Sequence, residues 1–106
     1  VFTTTAQSAS KMHGYRAHLR TITNGLVEMA KAAGRTHFTN NQLLRECYDL
    51  IDAELMTYEQ WKEQGAYVRR GEHAYLFWGS PIISESGVRY CPVEFKFCRA
   101  QVRFKN

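Results

Sequence analysis

The chain has 106 residues, 44% hydrophobic and 13% aromatic, which suffices for one modest core and fits a globular chain rather than a disordered one. A net charge of +4 favours an anionic partner, although solubility alone can account for a bias that mild. No apolar run approaches the roughly 20 residues of a membrane helix, and an odd set of cysteines (Cys47, Cys91, Cys98) argues against a disulfide framework.

No signal peptide is legible, so the expected location is the cytoplasm, with no membrane partner. Because it starts at Val1 rather than methionine and ends in a strand-like run, the chain reads as a piece of something longer. Charge is unevenly spread: residues 1–36 carry +4, residues 37–64 carry −4 and residues 65–106 carry +4. A basic C-terminal half beside an acidic helical segment implies a polarised surface.

The whole chain, 1–106, reads as one domain. Residues 1–9, rich in Thr, Ser and Ala, are expected to be a frayed tail. From Ser10 the residues Met12, Tyr15, Leu19, Ile22, Leu26, Met29 and Ala33 recur at alternating steps of three and four, a helical stripe. Gly14 and Gly25 are places where that helix could break, and Gly34 is a natural stop. The simplest use of the stripe is packing on its own domain. The same alternation is also a heptad pattern, so the alternative is a homodimer seam through the helix at 10–33.

A second helix is expected from Thr39 or Asn40, with Gln42 closing a capping box from Thr39. Leu43, Leu44, Cys47, Leu50 and Ile51 make its expected buried face, with Arg45, Glu46, Asp49 and Asp52 outward. Glu54 to Met56 reads as a linker. A third helix starts at Thr57, which Gln60 can box, and ends before Gly65. The chain resumes at Tyr67-Val68, turns through Arg69-Arg70-Gly71-Glu72, and enters an aromatic strand, Ala74 to Trp78. Ser84 to Gly87 is a turn. Val88 to Phe97 returns as a strand, with Pro92 requiring an edge or irregular position. Beyond it the apolar alternation inverts, which requires a bulge or bend near Phe97-Cys98. The fold class is therefore α+β, N-terminal helices packed on a small, mainly antiparallel sheet.

No catalytic constellation is legible. His13 and His18 stand about 140° apart on a helix. Cys91 and Cys98 point to opposite faces of a regular strand, and no CxxC or HExxH occurs. No serine sits in a nucleophile elbow and no glycine-rich phosphate loop exists. The reading is a binding domain rather than an enzyme, with no metal or cofactor.

Nucleic acid suits the basic half better. Arg69, Arg70 and His73 flank one turn, and Arg99 and Arg103, with Gln101 between them, are expected on one strand face. Same-face strand residues lie roughly 6.5–7 Å apart, a spacing that can meet successive phosphates. Tyr75, Phe77 and Trp78 offer rings for unpaired bases, although most aromatics in so small a domain serve the core. No segment resembles a major-groove recognition helix, which favours single strands over duplex.

The run TYEQWKEQGAYVRRGEHAYLFW, residues 57–78, resembles the signature of the N-terminal domain of the ArdC family of antirestriction proteins. Thr57, Gln60, Gly65, Val68, Arg69, Arg70, Gly71, Glu72 and His73 match the family's order of a T-x-x-Q helix, a glycine and a basic V-R-R-G-E-H-type turn. Phe38 to Leu44 is similar to its aromatic–Asn–Leu-Leu helix start. Tyr90 to Gln101 is similar to its closing F-x-P-V-x-x-F-x-x-x-Q strand. The likeness spans about residues 37–102. It implies a domain that binds single-stranded DNA without sequence preference, encoded on plasmids or conjugative elements and often followed by a metalloprotease-like C-terminal domain that this chain does not contain. On that reading Arg69, Arg70, Lys96, Arg99 and Arg103 neutralise phosphate, His73 and Asn41 hydrogen-bond, Tyr75 stacks, and Lys62 extends the positive edge. The rival expectation is a protein-interaction module that uses the helix at 10–33.

Overall fold

A computed structural model describes the backbone of residues 5–105 and the side chains of residues 14–105. The fold is α+β, with helices packed on small antiparallel sheets. Helix α1 (Thr5–Ala32) begins earlier than its stripe suggested: residues 5–9 are helical rather than frayed, while residues 1–4 lie outside the described residues. It runs unbroken through Gly14 and Gly25, because packing along its length outweighs the local cost of glycine. It closes at Gly34, whose φ of 82° allows the amides of Gly34 and Arg35 to turn back onto Lys31 and Ala30.

The buried line of α1 is rotated from the expected one. Leu19, Thr23 and Ala30 are buried, Ile22 and Leu26 pack against the core, and Met29 is 69% exposed. Thr23 is tolerated inside because its hydroxyl donates to the Leu19 carbonyl at 2.7 Å and accepts from the Trp78 indole at 3.0 Å.

Helix α2 (Asn40–Cys47) starts with the expected box between Thr39 and Gln42 and buries Leu43 and Leu44. Cys47 and Ile51 are exposed, against expectation. The helix stops at Cys47, and the chain reverses through Asp49 at a φ of 60°. Arg45 then gathers the carbonyls of Leu50 and Ala53, each at 3.0 Å, so that Ile51 is swung outward.

The supposed linker is strand β1 (Leu55–Thr57). It leads directly into α3 (Tyr58–Glu63), boxed by Thr57 and Gln60 as expected and closed at Gly65 with φ 81°. Next come β2 (Ala66–Val68), β3 (Tyr75–Trp78) and a short hairpin of β4 (Ile82–Ile83) and β5 (Arg89–Tyr90). The expected strand from Val88 to Phe97 is interrupted at Cys91-Pro92, where proline has no N–H for a ladder; the Pro92 carbonyl instead accepts from Gly79 at 2.7 Å.

Strand β6 (Val93–Cys98) is the centre of a three-stranded sheet, β1-β6-β3, with Thr57 and Tyr75 both opposite Lys96. The inverted alternation is resolved by a 3₁₀ turn, Arg99–Gln101, one step later than the expected bend. That turn carries the chain out of the sheet into β7 (Val102–Phe104), which pairs with β2 as a separate two-stranded ribbon. The core divides accordingly. Leu19, Leu44 and Phe77 join the helices to the sheet, and Trp61, Ala66 and Val102 fill the space beneath the ribbon. Among the described residues no helix is long and apolar enough to cross a membrane.

Candidate nucleic-acid interface

The basic turn joins β2 to β3. Gly71 supplies the left-handed φ of 88° that the reversal needs, and the Glu72 amide reaches the Arg69 carbonyl at 3.3 Å. One buried side chain fixes this turn to the body. The Gln101 carboxamide accepts from the Cys98 amide at 2.8 Å and donates to the His73 carbonyl at 2.8 Å and to the Glu72 carboxylate at 3.3 Å. The Gln101 carbonyl also accepts from the Arg69 amide at 2.8 Å. Both ends of the turn are thus tied to the 3₁₀ segment, and Glu72 is directed to Gln101 rather than to a neighbouring arginine.

The β2–β7 ribbon continues the surface. Ala66 and Val102 are buried under it with Trp61, whose indole donates to the Phe97 carbonyl at 2.8 Å. Alternation turns the intervening pair, Tyr67 opposite Arg103, to solvent, and Tyr67 is 43% exposed. The ribbon's ends carry more charge. Arg69 touches the Ala100 carbonyl at 3.4 Å, and Lys105 is held through its amide to the Gly65 carbonyl at 2.9 Å, next to Lys62 in the last turn of α3. Lys62, Arg69, Arg70, Arg103 and Lys105 are all exposed, and among the described residues none of them forms an ion pair.

Other expected site residues are employed elsewhere. Asn41 donates to the Trp78 carbonyl at 2.8 Å and accepts from the Trp78 amide at 2.9 Å, so its carboxamide anchors α2 to the end of β3. Tyr75 is half-buried with its ring 5.2 Å from that of Tyr48, a packing role. Lys96 lies within the sheet at 3.0 Å from Glu94 and over the Phe77 ring. Arg99 and Arg103 do not share a strand face, because the 3₁₀ turn separates them. Arg99 sits 3.4 Å from Glu54 and over Phe104. His73 is exposed, in sequence just past the basic turn, whereas Phe77 is buried.

Two residues of this surface, Tyr67 and Lys105, were not among the expected site residues and become visible only once the ribbon's register is known. Gln101, expected between Arg99 and Arg103 on a strand, is instead buried in the 3₁₀ turn. Away from the ribbon, Arg35 and Glu46 form a two-armed ion pair at 2.7 and 3.0 Å. The hydrogen bond from Arg35 holds the Glu46 carboxyl below the usual glutamate range. Among the described residues no three His, Cys, Asp or Glu side chains are grouped to hold a metal. Comparison with protein-family models, with curated proteins and with solved structures found no match.

Proposed function

We propose that the domain binds single-stranded DNA without sequence preference, through the turn at Arg69–Arg70 and the outer face of the β2–β7 ribbon. The observation that carries this reading is the group of five exposed cations without carboxylate partners among the described residues, on the turn, the ribbon and the end of α3, together with the exposed Tyr67 that stands opposite Arg103. Cations of this kind release counterions from a phosphate backbone. An exposed ring gives an unpaired base about 1–3 kcal/mol of stacking. That second contribution is denied to a duplex, whose bases are already stacked, so the pairing of charge with an open ring favours single strands. The resemblance to the ArdC N-terminal domain extends the proposal to a cytoplasmic protein of a plasmid or conjugative element, acting as a binding module with no catalysis of its own.

Fluorescence anisotropy with a labelled single-stranded oligonucleotide tests the proposal. The expected result is saturable binding that weakens steeply with salt and that Arg70→Ala/Arg103→Ala diminishes. An absence of binding to micromolar protein at low salt would overturn it. The rival reading, a protein-interaction surface, draws on the exposed Tyr15 and Met29 of α1. It predicts an unaffected partner complex in the Arg70→Ala/Arg103→Ala variant.

A further inference from the structure

A second cationic site lies away from the ribbon, where α1 passes the start of α2. Arg16, Arg20 and Asn24 are spaced by four and stand on one line of α1. With Asn40, the first residue of α2, and Trp78, the last of β3, they line a cleft of about 310 Å³. That volume lies at the small end of the roughly 300–1,000 Å³ range of ligand pockets. Among the described residues no carboxylate lines the cleft.

The walls are held in place before any ligand arrives. Arg16 donates to the Cys91 carbonyl, and its guanidinium lies 5.4 Å from the Trp78 ring and 5.5 Å from that of Tyr90. Trp78 is fixed in turn through its indole by Thr23 and through its backbone by Asn41. Arg20 is exposed and, among the described residues, in no ion pair. A guanidinium fork is suited to two-point contact with a phosphate.

We propose that this cleft binds a phosphate carried on a nucleoside, with Arg16 and Arg20 on the phosphate and the carboxamides of Asn24 and Asn40 on its sugar or base. The site is distinct from the ribbon: Trp78 pairs with Val93 at one end of the β3–β6 pair, whereas the basic turn adjoins the other end, where Tyr75 meets Lys96. Its occupant is either a free nucleoside monophosphate or a phosphate of a longer strand.

The two tryptophans provide the readout. Trp61 is 1% exposed and bonded to Phe97, whereas the Trp78 indole N–H lies at the cleft, so the two indole signals of ¹⁵N-labelled protein report separately. Thymidine monophosphate at millimolar concentration is expected to shift the Trp78 signal saturably and leave that of Trp61 in place. Thymidine without phosphate is expected to shift neither signal. Arg20→Ala, a change at the surface, should weaken this binding about tenfold. Arg70→Ala/Arg103→Ala should leave the monophosphate response intact, which separates this site from the ribbon. If an unphosphorylated oligothymidylate moves Trp78 at lower concentration than the monophosphate does, the natural occupant is an internal phosphodiester. The reverse order assigns a free nucleotide. A Trp78 signal that none of these ligands moves, or that moves equally in Arg20→Ala, would overturn the proposal.

Discussion

The most demanding test of the ribbon removes two positive charges in two different places. In Arg70→Ala/Arg103→Ala both charges come from cations that form no ion pair among the described residues. In Lys96→Ala/Arg99→Ala they come from cations standing 3.0 Å from Glu94 and 3.4 Å from Glu54. Net charge is the same in both variants, so any difference between them reports location. For a single strand, log affinity falls against log salt with a slope of about −0.7 for each phosphate neutralised. If Lys62, Arg69, Arg70, Arg103 and Lys105 each meet one phosphate, the unmodified domain has a slope of about −3.5 and the ribbon variant about −2.1. A fourfold rise in salt then weakens the unmodified domain by about 130-fold and the ribbon variant by about 18-fold. The Lys96/Arg99 variant should keep a slope near −3.5, since its lost cations were already offset by carboxylates. Anisotropy titrations of a labelled oligothymidylate at four or five salt concentrations measure all three slopes. Equal slopes in the two double variants would refute the argument, because binding would then follow overall charge and not this surface.

The remaining predictions concern what holds the interface in place. Asn41→Ala removes two hydrogen bonds to the Trp78 backbone and should destabilise the fold by about 1–3 kcal/mol in urea unfolding; a change within error would show that the anchor is dispensable. Gln101→Leu strands the Cys98 amide and the His73 carbonyl, and should cost about 2–4 kcal/mol while also weakening DNA binding through a loosened turn. Retention of full affinity by a folded Gln101→Leu protein would separate the turn's clamp from its function. Glu46→Gln tests the Arg35 pair. A carboxyl held below its usual range adds stability that is present at neutral pH and lost as pH falls through its folded-state value. The variant should therefore melt lower than the parent at pH 7, and the gap should close in acid below the ordinary glutamate value of about 4.3. A gap that persists unchanged in acid would assign the effect to packing.

What was legible in the sequence had short-range causes. The two capping boxes, Thr39 with Gln42 and Thr57 with Gln60, each close over three residues, and both are present. Gly34, Gly65, Gly71 and Gly87 all take positive φ at the expected stops and turns. What was hidden had long-range causes. Leu55–Thr57 is a strand only because β6 lies beside it, and no local pattern distinguishes it from a linker. The inverted alternation after Phe97 announced a change of face. Whether a bulge or a change of sheet would supply it depended on β2 being available to pair with β7.

The same distinction governs the site. A lysine or arginine is obvious as a letter, but its availability to a ligand depends on which carboxylate the fold brings near. Glu54 is remote in sequence from Arg99 and reaches it only because β1 lies against β6, whose end leads into the 3₁₀ turn. Asn41 looked like a hydrogen-bonding residue and is one, but both ends of its amide are satisfied by Trp78. Conversely, Tyr67 gains its proposed role only by standing opposite Arg103 on the face of the ribbon turned away from Ala66 and Val102. The fold therefore divides a basic half-chain into cations already offset by acids and cations still able to attract a polyanion. Only the second group should contribute to a salt-dependent affinity, because a cation already beside a carboxylate has little counterion exchange left to drive.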